Sequence, residues 1–457
     1  MKYYIKTYGC QFNYSDSERV SAVLESAGLK RAKNHLCADL ILFNTCSIRQ
    51  TAEDRVYGTM VNMAKLKKIR PHLRIGITGC MVKRSSTKKS LKPDPLVKNM
   101  DDVDFVFRIE DSARLPQLLK ETGLEVPHET PDEFDNGTLK NYFKINPKYS
   151  SQFQAFVPIA TGCDKFCAYC IVPFTRGREK SRPMEEIWEE CEKLVKNGCK
   201  EITLLGQNVD SYGLSFLDRN EKRFASLNVG EKIYFTRLLE ELDKLKTKGL
   251  RRVRWTSPHP KDMTDDVIEA VATLETQMPY IHLPVQAGSN VMLRKMNRPY
   301  TREHYIKLIE KIRHRIPDCA ISTDIVIGFC GETEKMFEET CELFEQARWD
   351  MAYISQYSMR RFTAAYKTMK DDVPRKEKER RWHRLNKILT RISHEKHKEF
   401  IGKTVEVLVE KCVKGICEGR SEHFKRTQFK GGKNLIGQIV PVKITDALAW
   451  NLIGELI

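Results

Sequence analysis

Strand and helix patterns alternate along most of this chain, and that alternation limits its fold more than any other feature. Between Phe153 and about Ser358, six candidate strands are separated by helical stretches: QAFVPIAT, KEITLLG, RVRWTS, YIHLPV, AISTDIVIGF and MAYISQYS. Strands that alternate with helices form parallel sheets with crossover helices. Six such units are fewer than the eight that close a full barrel. We therefore predict an open, partial (β/α)6 barrel over residues 153–374.

The remaining segments divide the chain further. Residues 1–127 repeat the strand–helix rhythm, which predicts an amino-terminal parallel α/β domain. A polar stretch at 128–152 is typical of a linker, and 375–400 predicts one long basic helix with an apolar stripe. From residue 401 to 457 the apolar period changes to two, which indicates a small all-β module. The fold class is thus α/β with a carboxy-terminal all-β barrel.

Three cysteines of the amino-terminal domain stand just after predicted strands. These are Cys10, Cys46 and Cys80, each preceded by Gly or Thr. Because the carboxyl ends of parallel strands form the ligand crevice of an open α/β sheet, the three are expected to converge at one edge. A single cysteine is usually a small core residue. Three at equivalent strand ends favour an open iron–sulfur site held by three thiolates.

A second group, Cys163, Cys167 and Cys170, has the spacing Cys-x3-Cys-x2-Cys after the first barrel strand. A structural zinc site normally takes four protein ligands from two Cys-x-x-Cys pairs, and a fourth Cys or His is missing nearby. An iron–sulfur cube held by three thiolates, with its fourth iron open, fits this triplet better. Its loop lies on the face where barrel active sites are found.

The overall charge indicates an acidic partner. The chain of 457 residues has 78 Lys and Arg against 61 Asp and Glu, a formal charge of +17, which favours nucleic acid. The first residues lack a signal-peptide pattern, and apolar runs of membrane-spanning length are missing from the sequence. We expect a cytoplasmic protein, with no membrane contact, whose 14 cysteines stay reduced.

Several motifs together resemble one enzyme family. GCDKFCAYCIVPFTRGREKSR, GCQFN, NTCSIR, LLGQNV, LPVQAGS and IGFCGET are similar to the radical S-adenosylmethionine methylthiotransferases. The resemblance covers essentially the whole chain. It implies a cluster domain at 1–127, a radical-SAM barrel at 153–374 and a TRAM domain at 401–457. YGCQFN and WTSPHP are similar to the MiaB type, the branch that acts on tRNA carrying isopentenyl-adenosine.

The resemblance implies a set of cofactor ligands. Cys163, Cys167 and Cys170 would hold a 4Fe–4S cluster that cleaves S-adenosylmethionine to a radical, and Cys10, Cys46 and Cys80 an auxiliary 4Fe–4S cluster that carries the sulfur. Tyr169 and Gln207 are the candidate contacts of S-adenosylmethionine, Tyr169 by packing on its adenine. Catalytic residues beyond the cluster ligands are not expected.

The implied activity is transfer of a methylthio group to carbon 2 of N6-isopentenyladenosine at position 37 of tRNA. Two methylthiotransferase branches remain as alternatives, one for threonylcarbamoyl-adenosine in tRNA and one for an aspartate of a ribosomal small-subunit protein. A non-catalytic RNA-binding scaffold is the alternative of another class. The expected partners are the tRNA anticodon loop, an electron donor and a sulfur donor that the sequence does not identify. We expect a monomer.

Basic and aromatic residues interleave in the carboxy-terminal module. GRSEHFKRTQFKGGK places Arg420, Lys425, Arg426, Lys430 and Lys433 around Phe424 and Phe429. Cations bind phosphates and aromatic rings stack on splayed bases, so this segment predicts an RNA contact. The alternative is core aromatics in a small barrel with solvated cations.

Other residues have weaker signals. The basic segment 83–98 is either an RNA contact or a surface loop, and the charged segment 214–234 has no readable role. Cys330 stands where the family usually has proline, and packing is its expected role. His259 and His282 follow barrel strands and are expected either to contact substrate or to be structural. Cys412 and Cys417 are assigned to packing or the surface.

Overall fold

The computed structural model describes residues 1–46, 50–82, 102–128, 139–214 and 232–457. These residues form two compact units. The first contains residues 1–151, 156–166 and 170–182, and the second contains residues 152–155, 167–169 and 183–457.

The first unit is built on a parallel sheet of five strands in the order β2-β1-β3-β4-β5. The strands are β1 (Lys2–Thr7), β2 (Lys30–Arg31), β3 (Leu40–Thr45), β4 (Arg74–Gly79) and β5 (Phe105–Val106). The helices are α1 (Gln11–Ser26), α2 (Gln50–Ile69), α3 (Leu115–Glu121), α4 (Leu139–Lys144) and α5 (Val172–Thr175). A short antiparallel pair, β7 (Ala160–Thr161) with β8 (Lys180–Ser181), completes it. Strand β3 is buried at every residue, as expected when helices cover both faces of a parallel sheet.

Part of the segment predicted as a linker belongs to the core of this unit. Helix α4 places Tyr142 and Phe143 among the buried residues of the core, and Ile145 follows them. Tyr142 and Phe143 are packed edge to face, with ring centroids 5.4 Å apart. Aromatic side chains bury large apolar areas, so the polar composition around them concealed a short structured element.

The second unit contains the parallel strands predicted for the partial barrel. They are β9 (Glu201–Leu205), β10 (Arg252–Trp255), β11 (Tyr280–His282), β12 (Ala320–Ile327), β13 (Met351–Gln356) and the first two residues of β6 (Gln154–Pro158). Its helices are α6 (Met184–Lys196), α7 (Tyr234–Asp243), α8 (Asp265–Thr273), α9 (Asn290–Lys295), α10 (Arg302–Arg315), α11 (Glu334–Ala347), α12 (Ala364–Thr368) and α13 (Arg375–Lys398). Strands β11, β12 and β13 form one sheet in that order. The other sheet has the order β10-β9-β6, its third strand beginning with Gln154 and Ala155 of this unit. The strand order follows the chain order, which confirms the predicted (β/α)6 pattern.

The carboxy-terminal module is a closed barrel of five strands in the order β14-β15-β16-β18-β17. They are β14 (Thr404–Val413), β15 (Ile416–Ser421), β16 (Arg426–Lys430), β17 (Ile439–Ala447) and β18 (Leu452–Leu456). The tight turn at Lys414 and Gly415, both with positive φ, joins β14 to β15 and sets Cys412 opposite Cys417. These two cysteines form a disulfide, which differs from the expectation that all cysteines stay reduced. Cross-strand pairing in the hairpin brings the thiols together.

Two arginines of β10 attach this module to the rest of the unit. Arg252 donates to the carbonyl of Arg420 at 3.0 Å, and Arg254 donates to the carbonyl of Ser421 at 2.8 Å. Arg254 also pairs with the buried carboxylate of Glu201 at 2.9 Å. The two arginines of the RVRW segment are therefore buried structural donors, because they satisfy carbonyls at the rim of the barrel.

Helix α13 packs along α11 through a row of ion pairs. Arg380 pairs with Glu334, Arg384 with Glu338 and Arg391 with Glu345, each pair 46 positions apart. The constant separation shows that the two helices run parallel. The predicted basic helix thus has part of its charge neutralised within the protein. No helix in the described part of the chain combines the length and apolar composition needed to cross a bilayer.

Two buried histidines predict acid lability of the second unit. Burial first, and then the Lys425 cation, lower the pKa of both His397 and His423 to about 4. His397 donates from Nδ1 to the carbonyl of Leu448 at 2.7 Å, which fixes its neutral tautomer. The unfolded chain binds these protons from about pH 6.5 downward, so stability is present above that pH and falls towards pH 4. Each histidine accounts for up to about 3 kcal/mol of this loss.

The measurement is urea unfolding at neutral pH and again close to the folded pKa. The His397→Gln variant should lose part of the pH dependence, because glutamine offers a neutral donor that does not titrate in this range. An unchanged dependence in that variant would contradict the assignment.

Candidate functional site

The amino-terminal cysteines follow three neighbouring strands. Strands β1, β3 and β4 are adjacent and parallel, and Cys10, Cys46 and Cys80 stand just beyond their carboxyl ends. Cys10 is exposed, whereas Cys46 and Cys80 are buried. The strand order confirms the expectation that these three positions share one edge of the sheet.

Two asparagines connect the ends of these strands. The backbone nitrogen of Cys10 donates to the Asn13 side chain at 3.2 Å, and Asn13 Nδ2 donates to Asn44 Oδ1 at 3.0 Å. Asn13 also donates to the carbonyl of Thr45 at 3.1 Å, and that carbonyl accepts from the backbone nitrogen of Cys80 at 2.8 Å. Thr45 directly precedes Cys46. One hydrogen-bond network therefore sets the backbone at all three cysteine positions.

Glycine is required before two of the candidate ligands. Gly79 has a φ of +93°, and a Cβ there would lie 2.3 Å from the carbonyl oxygen of Thr45. Gly162 has a φ of +75°, and a Cβ there would lie 2.2 Å from the carbonyl oxygen of Arg178. Only a residue without a side chain allows such close backbone approach. The positions of Cys80 and Cys163 are therefore determined by the glycines before them.

A buried ion pair lies beside the first turn of α1. Arg176 Nη2 donates to Asp16 Oδ2 at 2.6 Å, with the two side chains 3% and 0% exposed. Tyr142 donates to the other carboxylate oxygen at 2.6 Å, and the Arg176 guanidinium lies 4.2 Å from the centre of the Phe12 ring. Burial opposes the charge of Arg176, but Asp16 first and then the thiolates of Cys80 and Cys10 raise its pKa.

The same cation acts on the thiol of Cys10. Although the residue as a whole is exposed, the protein atoms crowded around its thiol raise the pKa of that thiol, the neighbouring Cys80 raises it further, and Arg176 lowers it. Two cysteine sulfurs with a buried cation beside them are a suitable electrostatic setting for an anionic metal centre. Arg176 was not singled out by the sequence, where it stands within the basic run TRGREKSR.

The second cysteine group lies in a loop whose backbone is held by hydrogen bonds. Within the first unit, the nitrogen of Cys163 donates to the carbonyl of Gly177 at 3.1 Å, and Arg178 Nη2 pairs with Asp164 at 3.2 Å. Within the second unit, the nitrogen of Ala168 donates to the carbonyl of Met296 at 3.0 Å. The loop is therefore fixed on both sides of its central residues.

Arg298 donates to one cysteine of this loop. Its Nη1 lies 3.4 Å from Cys167 Sγ, while Nε donates to Tyr300 Oη at 2.6 Å and Nη2 to the carbonyl of Pro284 at 2.9 Å. The residue is buried. A fixed guanidinium stabilises negative charge on a thiolate sulfur. The sequence showed no signal for Arg298 beyond its place in NRPY.

Both cysteine sets consist of thiol groups alone, the ligand type that iron–sulfur cubes take. Among the residues that the structure describes, no three Cys, His, Asp or Glu side chains are grouped closely enough to hold one metal ion. A four-iron cube separates its thiolates further than a single ion does, and it needs only cysteine ligands. Glycine-defined backbones and nearby buried cations fit such a group at both cysteine sets. The assignment of the six cysteines as ligands stays a prediction.

The two candidate contacts of S-adenosylmethionine lie in the barrel of the second unit. Tyr169 is half-buried and meets Phe329 edge to face, with ring centroids 6.4 Å apart. Gln207 is half-buried and stands two residues beyond the end of β9. Carboxyl ends of barrel strands carry active-site residues, so the position of Gln207 agrees with a binding role that stays a prediction.

The other residues considered from the sequence have mostly structural surroundings. His259 is buried against Tyr300, and its backbone nitrogen donates to Asp210 at 2.9 Å. His282 is hydrogen-bonded through Nδ1 to Ser322 at 2.8 Å. Cys330 is buried, in agreement with a packing role. Segment 83–98 and residues 215–231 of segment 214–234 lie outside the described residues.

The basic and aromatic segment of the small barrel is only partly available to RNA. Phe429 is 2% exposed in the barrel core, so the prediction of base stacking is wrong for it. Lys425 is buried in an ion pair with Asp350. Phe424 stacks on Tyr280 with ring centroids 4.7 Å apart, and the Arg420 guanidinium lies 4.2 Å from the centre of the Phe424 ring. Strand alternation explains this division, and the exposed cations that remain are Arg426, Lys430 and Lys433.

Comparison with known families agrees with this organisation. Residues 157–344 match the model described as Radical SAM superfamily, residues 398–457 match the TRAM domain, and residues 2–107 match Uncharacterized protein family UPF0004. Among solved structures, the radical S-adenosylmethionine methyltransferase TsrM from Kitasatospora setae, with cobalamin and a [4Fe-4S] cluster bound, matches with a TM-score of 0.51. It is 12% identical, over 91% of this chain and 80% of that chain. At this identity the likeness shows the fold alone. The chain is therefore a radical SAM protein with a TRAM domain.

Curated relatives narrow the family. The tRNA-2-methylthio-N(6)-dimethylallyladenosine synthase of Thermoanaerobacter pseudethanolicus is 43% identical over 459 residues, 100% of this chain and 92% of that protein. The proteins of the same name from Syntrophomonas wolfei and Bacillus subtilis are each 41% identical, over 98% and 86% of their own lengths. This chain belongs to the tRNA-2-methylthio-N(6)-dimethylallyladenosine synthase family.

Proposed function

We propose that this protein transfers a methylthio group to carbon 2 of N6-isopentenyladenosine, also called N6-dimethylallyladenosine, at position 37 of tRNA. One observation carries the proposal. A chain at least 41% identical over its full length to synthases of that name has both cysteine trios of the sequence pattern. The reaction class is a radical S-adenosylmethionine group transfer, and the partner is the tRNA anticodon loop.

The six cysteines are the proposed ligands of two 4Fe–4S clusters. Cys163, Cys167 and Cys170 would hold one cluster, and Cys10, Cys46 and Cys80 the other. Three thiolates leave one iron of each cube without a protein ligand, which suits S-adenosylmethionine at the first cluster and sulfur at the second. When bound, these groups supply the electron, the radical and the sulfur for a C–H substitution that acid–base side chains do not perform.

The side chains of the protein are proposed to bind S-adenosylmethionine, to hold the cysteine ligands in place and to compensate the negative charge of the sulfur atoms. Arg298 donates to Cys167 and so holds that sulfur in place with a positive charge beside it. Asn13 holds the backbone at Cys10 and before Cys46, and Asn44 accepts a hydrogen bond from the side chain of Asn13. Tyr169 and Gln207 are proposed to contact S-adenosylmethionine, the first through its ring and the second through its amide.

The small barrel is the proposed RNA-binding module. Arg426, Lys430 and Lys433 are exposed and can contact phosphates without losing an internal core contact. Phe429 is buried in the barrel core and the half-buried Phe424 is stacked on Tyr280, so recognition of bases by this module is not proposed.

The test is mass spectrometry of nucleosides from the tRNA of a strain that lacks the gene. Loss of the 2-methylthio form with accumulation of plain N6-isopentenyladenosine is the expected result. The wild-type gene should restore the methylthio form, and so should a Cys191→Ala variant, since Cys191 is a buried cysteine of α6 outside both trios. A Cys46→Ala variant should not restore it.

Two other outcomes would overturn the proposal. If the isopentenyladenosine nucleosides were unchanged and threonylcarbamoyl-adenosine lost its methylthio group, the substrate would be threonylcarbamoyl-adenosine in tRNA. If the tRNA nucleosides were unchanged and a ribosomal protein lost its methylthio group, the substrate would be that protein.

A further inference from the structure

Arg176 has donors that its ion pair does not use. The residue is 5% exposed, and Nη2 is engaged by Asp16. Its Nε and Nη1 atoms are buried and have no hydrogen-bond partner among the described residues. A buried N–H without a partner is costly, and a charged one more so. An acceptor for these two donors is therefore expected beside the guanidinium.

The surroundings of Arg176 place this acceptor near the first cysteine trio. Its side chain contacts Phe12 and Asp16, which lie in the first two turns of α1. Cys10 is the N-cap residue of the same helix. The charge of Arg176 also acts on both Cys10 and Cys80.

A purely structural role accounts for only part of this arrangement. The Asp16 carboxylate needs a cation because it is fully buried, and one guanidinium nitrogen satisfies that need. The ion pair with Asp16 does not account for the other two buried donors of the guanidinium, Nε and Nη1. The Phe12 ring covers one face of the guanidinium and leaves its edge, where the N–H groups point, as the direction for an acceptor.

We propose that Arg176 is a positioning residue that donates hydrogen bonds from Nε and Nη1 to sulfur of the iron–sulfur cluster held by Cys10, Cys46 and Cys80. The inference rests on the ligand assignment made under the proposed function. Hydrogen bonds to cluster sulfur and a nearby cation stabilise the reduced, more negative state. Arg176 therefore raises the reduction potential of this cluster and does not itself take part in bond making.

The experiment uses the full chain with Cys163, Cys167 and Cys170 all replaced by alanine, so that one cluster remains. The midpoint potential of that cluster is measured by an electron paramagnetic resonance titration, before and after Arg176→Met. The equilibrium constant for one-electron reduction should fall about tenfold, a shift of about 59 mV to more negative potential. Arg176→Lys keeps the charge but loses the planar fork, so its shift should be smaller.

Two further variants separate this role from a general effect of losing charge. Arg19→Met removes another fully buried arginine of α1, which donates to Ser15 and lies over the Tyr142 ring, and the potential should stay unchanged. Asp16→Asn combined with Arg176→Met avoids leaving a buried carboxylate unpaired, and it should show the full shift in a folded protein.

Three outcomes would contradict the role of Arg176 or the ligand assignment on which it rests. An unchanged potential in both Arg176→Met variants, or an equal shift in Arg19→Met, would overturn the role of Arg176. If the triple-alanine protein with native Arg176 binds far fewer than about four irons, the ligand assignment itself fails, and this inference fails with it. The iron content separates that failure from a failure of the Arg176 role alone.

Discussion

Replacing Cys163 by alanine is expected to reduce formation of 5′-deoxyadenosine from S-adenosylmethionine to background. Cys163 directly follows Gly162, whose positive φ and close approach to the carbonyl of Arg178 define the backbone at this point of the loop. A cube that relies on three protein ligands does not tolerate the loss of one of them. The measurement is liquid chromatography of the reconstituted variant with dithionite as the reductant, with deoxyadenosine and methylthiolated RNA quantified in the same reaction.

Replacing Cys46 instead should separate the two reactions. This variant is expected to keep part of the S-adenosylmethionine cleavage while it forms no methylthiolated product, because the radical-generating ligands are intact. Cys191→Ala, which removes a buried cysteine outside both trios, should retain both activities. If the Cys163 and Cys46 variants both gave full product, the assignment of two clusters would be wrong.

The parts of this molecule that follow from short-range pattern were predictable from sequence. The segment AISTDIVIGF was one of the six candidate strands, and the structure has strand β12 there, at Ala320–Ile327. Cys10, Cys46 and Cys80 could be located at one sheet edge because parallel connectivity fixes which ends of strands meet. Knowledge of side-chain contacts was not needed to place these three cysteines.

The parts that depend on long-range pairing were not predictable. Arg176 and Asp16 are 160 positions apart, and the sequence showed the arginine only as one of several basic residues. Arg254 contributes to an apparently basic strand, yet it pairs with Glu201 and with a carbonyl of β15. A count of charged residues does not reveal which cations are paired with carboxylates or carbonyls inside the protein. For the same reason, the RNA-binding prediction for Lys425 requires correction.

Replacing Lys425 by alanine is expected to destabilise the second unit by about 3–5 kcal/mol, because it leaves the carboxylate of Asp350 buried without its cation. Lys425 Nζ lies 2.6 Å from Asp350 Oδ1, with the side chains 3% and 12% exposed. Urea unfolding followed by tryptophan fluorescence is a suitable measurement, since Trp349 is buried next to Asp350.

The neighbouring residue provides the matched control. Arg426 is exposed and pairs with Glu418 at the surface, so Arg426→Ala should change stability by no more than about 1 kcal/mol. If Arg426 contacts a phosphate, the same variant should weaken tRNA binding and reduce its dependence on salt, with a slope smaller by about 0.7–0.9. Of these two adjacent cations, Lys425 would thus determine protein stability and Arg426 would contribute to tRNA binding. Equal stability of the two variants would contradict the structural role of Lys425, since burial of its partner is the only reason to expect a difference of this size.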